Sequence, residues 1–211
     1  VIDINFNCPR HIVRMCAEKK KWLIHFSTSE VYGRTVSSFI DGDPAADGDE
    51  RHYVLKEDES PLIMGPVSSQ RWSYAAAKQL LERLIYAYGF EKGLEYTIVR
   101  PFNFIGPRMD YIPGIDGSGL PRVLACFMEA LLCEKPLKIV DGGVSRRCFT
   151  YIDDAVEFIT AMLAAPGRAK RQIFNVGHPG NEMSIAELAD MMITIYKELR
   201  PECAGTEFQV E

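Results

Sequence analysis

The apolar run Trp22-Leu23-Ile24-His25-Phe26 opens directly into Ser27-Thr28-Ser29-Glu30-Val31-Tyr32-Gly33. Such a run reads as a buried parallel strand, and the polar residues are what emerges from its carboxyl end. In open α/β sheets that edge is where ligands bind. Downstream, Tyr74-Ala75-Ala76-Ala77-Lys78 falls in a helical stretch. Arg100-Pro101-Phe102-Asn103-Phe104-Ile105-Gly106-Pro107-Arg108 then follows the next apolar strand. Strand, helix and strand in alternation predict a doubly wound parallel sheet of the α/β class.

The pattern continues along the chain. Residues 5–19 fit a helix, with Phe6, Ile12, Val13, Cys16 and Ala17 near helical spacing and Lys19-Lys20-Lys21 at its C-terminal end. The first strand takes residues 22–28. Residues 34–70 are polar and punctuated by Asp41-Gly42-Asp43-Pro44, Asp47-Gly48-Asp49-Glu50, Pro61 and Pro66, and they read as a long loop on the rim of a site. A helix over 71–91 presents Leu80, Leu81, Leu84, Ile85 and Ala87 and stops at Gly93. A strand over 95–100, a helix over 120–133 and a short strand over 137–140 come next. Residues 148–151 are extended, Asp153 or Asp154 caps a helix running to about Ala165, and residues 172–176 form another strand. Ser184 with Glu187 three residues on is a capping box that starts a last helix through Tyr196.

Composition narrows the function. The chain has 211 residues, 47% hydrophobic and 25% charged, with a net charge of −5. That is a globular protein with a real core, and its acidity argues against nucleic acid or an anionic membrane as partner. No apolar run approaches the roughly 20 residues of a membrane helix. The first residues carry neither a basic n-region nor a signal-like apolar stretch. Six scattered cysteines without a C-x-x-C pair read as reduced, buried thiols of a cytoplasmic protein. The four histidines have no ligand-like spacing, so no metal is expected. No G-x-G-x-x-G follows a first strand and the chain starts at Val1, which reads as a fragment of a larger protein.

Several residues have chemistry to offer, each with a plainer alternative. Tyr74 and Lys78 project from one helix face. A phenol is a poor base at its usual pKa of about 10, and a nearby ammonium favours the phenolate. Such a pair takes a hydroxyl proton while a hydride leaves the same carbon; equally, Y-x-x-x-K arises by chance. Ser29 and Glu30 suit hydrogen bonding and proton transfer, or simply cap a strand end. Arg71 is either a bidentate clamp for a carboxylate or phosphate or an exposed arginine at a helix start. Asn103 can donate and accept toward a nucleotide, with Arg108 adding charge nearby. The segment from Lys138 to Arg147, with its Asp141-Gly142-Gly143 turn, can wrap a pyrophosphate or stand as a surface hairpin.

Taken jointly, the Ser-Thr-Ser-Glu-Val-Tyr-Gly, Tyr-x-x-x-Lys, Arg-Pro-Phe-Asn-x-x-Gly-Pro-Arg and Asp-Gly-Gly…Arg147…Phe149 segments resemble the extended short-chain dehydrogenase/reductase superfamily. Within it the chain looks most like UDP-glucuronate decarboxylases. One branch is the plant-type UDP-apiose/UDP-xylose synthases, matched by Tyr53–Asp58, Gln70-Arg71-Trp72-Ser73-Tyr74 and Pro107–Gly117. The other is the decarboxylase domain of the bacterial bifunctional polymyxin-resistance protein, which shares Ser-Thr-Ser-Glu and Arg-Trp-x-Tyr.

The resemblance implies a partial Rossmann-like sheet with a small C-terminal substrate-binding lobe. Residues 1–108 would be the C-terminal part of an NAD-binding domain, and residues 109–211 mainly the lobe with interleaved Rossmann elements. The glycine-rich loop would precede Val1, and a substrate-side Arg and Tyr would follow Glu211. It implies NAD as cofactor, held by Ser27, Thr28, Tyr74 and Lys78. It implies a UDP-sugar substrate touching Thr28, Ser29, Arg71, Asn103, Arg108, Lys138, Asp141 and Arg147. Tyr74 would deprotonate the sugar C4 hydroxyl with Lys78 as its partner, and Glu30 and Ser29 would act near the departing carboxylate. A homodimer or higher homo-oligomer is also implied. The apiose-forming branch has Cys where Ser29 stands, and Ser is the weaker nucleophile and acid. The resemblance therefore points to decarboxylation giving a UDP-4-keto-pentose or UDP-xylose rather than UDP-apiose. The other readings are a nucleotide-sugar epimerase or dehydratase, or a non-catalytic nucleotide-binding scaffold.

Overall fold

The structure, a computed structural model, describes residues 1–34, 39, 48–118 and 121–211. Asp41–Asp47 in the rim loop and Leu120 at the expected start of the 120–133 helix lie outside the described residues. The chain divides into two compact units, Val1–Phe102 with Asp153–Gly177, and Asn103–Ile152 with His178–Glu211.

The first unit is an α/β layer structure. A π-helical stretch, Asp3–Asn7, runs into α1 (Cys8–Glu18), followed by β1 (Leu23–Phe26), α2 (Trp72–Lys92), β2 (Tyr96–Pro101), α4 (Ile152–Ala164), the one-turn α5 (Pro166–Ala169) and β6 (Gln172–Val176). The sheet order is β1-β2-β6, all parallel, with Ile24 opposite Thr97 and Ile98 opposite Ile173. Parallel neighbours need a long crossover, and α2 supplies the one from β1 to β2. Val13 of α1, Leu81 and Ile85 of α2, and Leu94, Tyr96 and Ile98 form one buried cluster with Ile173 packed against it. Phe174, the next residue of β6, points the other way and meets Phe158 of α4 with ring centroids 5.5 Å apart. Helices thus cover both faces of the sheet, which is the doubly wound arrangement. Each fully buried Leu or Ile in that cluster contributes roughly 1.5–3 kcal/mol of hydrophobic stabilisation.

Local expectations hold with particular exceptions. α2 ends where Gly93, in the left-handed region at φ 67°, caps it. Its buried face is Ala75, Ala77, Leu81, Glu82, Ile85 and Gly89. Leu80, expected on that face, is exposed, because an apolar face at i, i+4 spacing through Leu81 and Ile85 leaves it on the flank. Asp153 and Asp154 are not caps. α4 begins at Ile152, so both carboxylates sit in the first turn, where the helix dipole favours them. All six cysteines are free, but none is fully buried, and Cys8 and Cys133 are exposed.

The second unit holds β3 (Phe104–Ile105), α3 (Val123–Leu132), β4 (Arg146–Cys148), β5 (Thr150–Tyr151), β7 (Glu182–Ser184) and α6 (Ile185–Leu199). β3 pairs with β5 in parallel, and β4 with β7 antiparallel. Its core joins Phe127, Ala130 and Leu131 of α3 to Leu137, Phe149, and Leu188 and Ala189 of α6. The capping box forms as the sequence predicts: the Ser184 hydroxyl accepts from the Glu187 amide at 3.1 Å, and the Glu187 carboxylate accepts from the Ser184 amide at 2.7 Å. The strand expected over 137–140 is reduced to a bridge between Leu137 and Val210. The Leu137 amide donates to the Gln209 carbonyl at 2.8 Å, a partner more than seventy residues away that no local pattern announces.

Candidate active site

The turn after β1 is built from its own polar residues. The Ser27 amide donates to the Val99 carbonyl at 2.7 Å, carrying the sheet one residue past β1. Thr28 is extended, and its hydroxyl accepts from the Glu30 amide at 3.2 Å, capping a 3-10 turn over Ser29–Tyr32. Gly33 closes that turn at φ 67° and bridges to Ile63; a Cβ there would overlap the Ile63 carbonyl, so only glycine fits. Ser29 is half-buried and Glu30 exposed on the turn.

Helix α2 is held against this turn. The Lys78 ammonium donates to the Phe26 carbonyl at 2.9 Å, and the Gln79 amide group donates to the Val31 carbonyl at 3.3 Å. The Tyr74 phenol lies within interaction range of the Thr28 hydroxyl and the Glu30 carboxylate. The structure therefore brings together Thr28, Glu30, Tyr74 and Lys78 at the carboxyl end of β1. Arg71 is exposed before the first turn of α2, stacked on the neighbouring Trp72 ring with its guanidinium carbon 4.8 Å from the centroid.

The electrostatics differ from the sequence expectation. Burial pushes the Tyr74 phenol up, the Glu30 charge adds to this, and the Thr28 hydrogen bond opposes it. Lys78 does not lower it in this geometry: its ammonium is 6.0 Å from the ring centroid and engaged by the Phe26 carbonyl. Burial pushes Lys78 itself down, with Glu82 acting the other way. His25 is lowered to about 4, first by burial and then by the Lys78 charge, so it is neutral at pH 7. Its Nε2 and the Ser27 Oγ are both buried and find no hydrogen-bond partner among the described residues; they lie two residues apart on the same side of β1.

A buried polar network lies beneath the turn. Arg100 is 2% exposed and Glu82 5%. Arg100 Nη2 donates to Glu82 Oε2 at 2.7 Å and Arg100 Nε to Glu82 Oε1 at 3.2 Å. Arg100 Nη1 donates to the Tyr32 phenol at 2.8 Å and to the Glu57 carbonyl at 3.0 Å. The Tyr32 hydroxyl donates to Asn175 Oδ1 at 2.8 Å. Sequence reasoning missed Glu82, Tyr32 and Asn175; the available signal was a carboxylate on the apolar face of α2, eight residues after Tyr74.

The second unit carries the remaining expected residues. Asn103 sits at φ 37° and its side-chain amide donates to the Cys148 carbonyl at 2.9 Å. Arg108 and Asp141 are also in the left-handed region, at φ 63° and 50°. All three are exposed, and the left-handed backbone costs each about 1 kcal/mol or more, as it does at Lys20, Glu134 and Arg171 elsewhere in the chain. Lys138 is exposed. Arg147 is exposed as well, and its guanidinium donates to the Arg146 carbonyl at 2.7 Å. The neighbouring Arg146 instead pairs with Glu187 at 3.3 Å. Among the described residues no group of three or more His, Cys, Asp or Glu is placed to hold a metal ion, and no helix is long and apolar enough to cross a membrane.

A profile of the NAD dependent epimerase/dehydratase family matches residues 1–177. The UDP-D-apiose/UDP-D-xylose synthase of Oryza sativa subsp. japonica is 57% identical over 200 residues, covering 94% of this chain and 50% of the rice protein. UDP-D-apiose/UDP-D-xylose synthase 1 of Arabidopsis thaliana is 56% identical over 202 residues, covering 95% of this chain and 52% of its own length. The chain thus spans about half the length of the curated relatives it matches. Among solved structures, the PbgP3 protein from Burkholderia pseudomallei superposes with a TM-score of 0.77 at 36% identity, covering 94% of this chain and 55% of that one.

Proposed function

The chain belongs to the NAD dependent epimerase/dehydratase family, and from that premise we propose that the protein decarboxylates UDP-glucuronate by way of C4 oxidation, giving a UDP-4-keto-pentose or UDP-xylose. The observation that carries this reading is the convergence of Thr28, Glu30, Tyr74 and Lys78 at the carboxyl end of β1. Identity to the named plant synthases over nearly the whole chain supports the substrate class.

NAD fits the residues present. Ser27 Oγ is a buried hydroxyl with no partner among the described residues, next to the Phe26 carbonyl that holds Lys78, and such an orphan group calls for a polar ligand. Ser27, Thr28, Tyr74 and Lys78 would hold the cofactor there. NAD, when bound, supplies the hydride acceptor that makes oxidation at C4 possible.

The protein's own residues do the rest. Tyr74 takes the C4 hydroxyl proton as the carbonyl forms, with Thr28 donating to its phenolate oxygen. Burial and Glu30 favour the protonated phenol, the form that returns a proton to a C4 carbonyl oxygen as UDP-xylose formation requires, whereas the base step draws on the phenolate that the Thr28 hydroxyl favours. Thr28 and Ser29 hydrogen-bond the sugar. A C4 ketone makes the C6 carboxylate that of a β-keto acid, and its carbonyl accepts the electron pair as CO₂ leaves. Glu30, exposed on the turn, delivers a proton to the carbon left behind. Asn103, Arg108, Lys138, Asp141 and Arg147 hold the UDP, and Arg71 the sugar or its carboxylate. The same reading places the enzyme in the cytoplasm as a homodimer or higher homo-oligomer.

The test uses the full-length protein with UDP-glucuronate and NAD⁺, following CO₂, NADH absorbance and the product by NMR. CO₂ with stoichiometric NADH identifies release of the 4-keto-pentose, and CO₂ without net NADH an internal redox cycle giving UDP-xylose. Absence of CO₂ overturns the proposal in favour of an epimerase or dehydratase.

A further inference from the structure

The ion pair between Arg100 and Glu82 is buried and hydrogen-bonds none of the residues assigned to chemistry, although the Glu82 charge acts on Lys78. A buried ion pair is a poor source of net stability, since desolvation offsets most of its attraction. What this one does is geometric. Tyr74, Lys78 and Glu82 occupy one i, i+4, i+8 row of α2, so an anchor on Glu82 fixes the face that presents the other two. The Arg100 fork spends two donors on Glu82 and turns its third nitrogen to the Tyr32 phenol, with its guanidinium carbon 4.8 Å from the Tyr32 ring centroid. Tyr32 is 1% exposed and closes the turn that carries Ser29 and Glu30. Beyond it, Asn175 passes the connection to the polar loop: its side-chain amide donates to the Leu55 carbonyl and its backbone amide to the Glu57 carboxylate, both at 2.8 Å.

We propose that Arg100 is a positioning residue: clamped by Glu82, it fixes the Ser29–Tyr32 turn in register with Tyr74 and Lys78. Resting on the decarboxylase reading, it assigns Arg100, Glu82, Tyr32 and Asn175 to one device that sets the separation of the turn's acid/base group from the helix's Tyr–Lys pair. A lysine cannot replace Arg100, because a single ammonium lacks the planar fork that serves a carboxylate and a phenol at once.

The experiment takes the full-length protein with R100K and, separately, Y32F, which deletes only the hydroxyl joining Arg100 to Asn175. A misplacement of about an ångström at a reacting centre costs up to about 100-fold in rate. For R100K we expect kcat for CO₂ release to fall by about 10- to 100-fold, while KM for UDP-glucuronate stays within about three-fold. Y32F is expected to show the same split with a smaller loss of about 3- to 10-fold in kcat. Amide exchange adds a readout independent of turnover. The Val31 and Gly33 amides, which donate to the Thr28 and Glu30 carbonyls, should exchange at least about ten-fold faster in both variants. Circular dichroism and thermal melting report the folded fraction. Unchanged kcat with unchanged exchange at Val31 and Gly33, or a rate loss that only tracks lost folded protein, overturns the proposal. If R100K does not fold, Y32F decides it. If the wild-type protein releases no CO₂, the decarboxylase reading fails, and exchange at Val31 and Gly33 alone judges the positioning role.

Discussion

His25 offers a measurement with a definite sign. Its folded-state pKa is lowered from 6.5 to about 4 by burial and by the Lys78 charge. Between those values the unfolded chain binds a proton that the native protein refuses. This stability is fully present above pH 6.5 and is lost as the pH falls toward 4. Going from pH 7 to pH 4.5, the linkage amounts to about 2 kcal/mol, from 1.36 kcal/mol per pKa unit with the transition incomplete at both ends. Carboxylates also destabilise in acid, so the comparison must be differential. Urea unfolding of the full-length protein and of H25Q, at half-unit steps from pH 7.5 to 4.5, gives each slope of stability against pH. The wild type should lose about 2 kcal/mol more than H25Q over that range, with the excess slope approaching one proton near pH 5. Parallel curves would show that His25 is solvated or partnered and that the argument from burial fails.

Other residues yield equally direct tests. Y74F should lower CO₂ release by about 10²- to 10⁴-fold while leaving UDP-glucuronate binding within a few-fold, as calorimetry and steady-state rates will show. S29C places a thiol on the turn beside Glu30; branched-sugar signals in the NMR of its products are expected, and their absence would break the link drawn between Ser29 and product choice. Leu131 is completely buried in the core of the second unit, and L131A should cost about 2–5 kcal/mol in denaturant unfolding.

The sequence made most of the fold legible where the physics is local. The β1 run, the 3.6-residue rhythm of α2, Gly93 and the Ser184–Glu187 box each act within a few residues, and each lies where the pattern puts it. What failed was non-local. Leu137 has the look of a strand residue but finds its partner at Val210, so a bridge forms where a strand is expected. Leu80 is as apolar as Leu81, yet only the latter faces β2, because the cluster around Ile98 and Ile85 decides which flank of α2 is inside. The acids at 153 and 154 favour a helix start, but the chain is already helical at Ile152, and they act through the dipole instead.

The site divides along the same line, and the division says something about how it works. Ser-Thr-Ser-Glu and Tyr-x-x-x-Lys are legible because a side-chain donor or acceptor at a strand end or on a helix face is a local arrangement. Thr28 reaches only two residues, to Glu30. Their mutual distance is not local. It is set through Arg100 to Glu82, eighteen residues apart, and through Tyr32 to Asn175, one hundred and forty-three apart. In the sequence these four are an apolar-face carboxylate, a strand arginine, a tyrosine in a turn and an asparagine in a strand, and nothing joins them. A reaction that must move a proton at one sugar carbon and release CO₂ at the next tolerates little variation in that distance. Arg100, Glu82 and Tyr32 are buried and Asn175 half-buried, and their connection to one another is what motif reading does not show, while the residues they position stand at the carboxyl edge of the sheet.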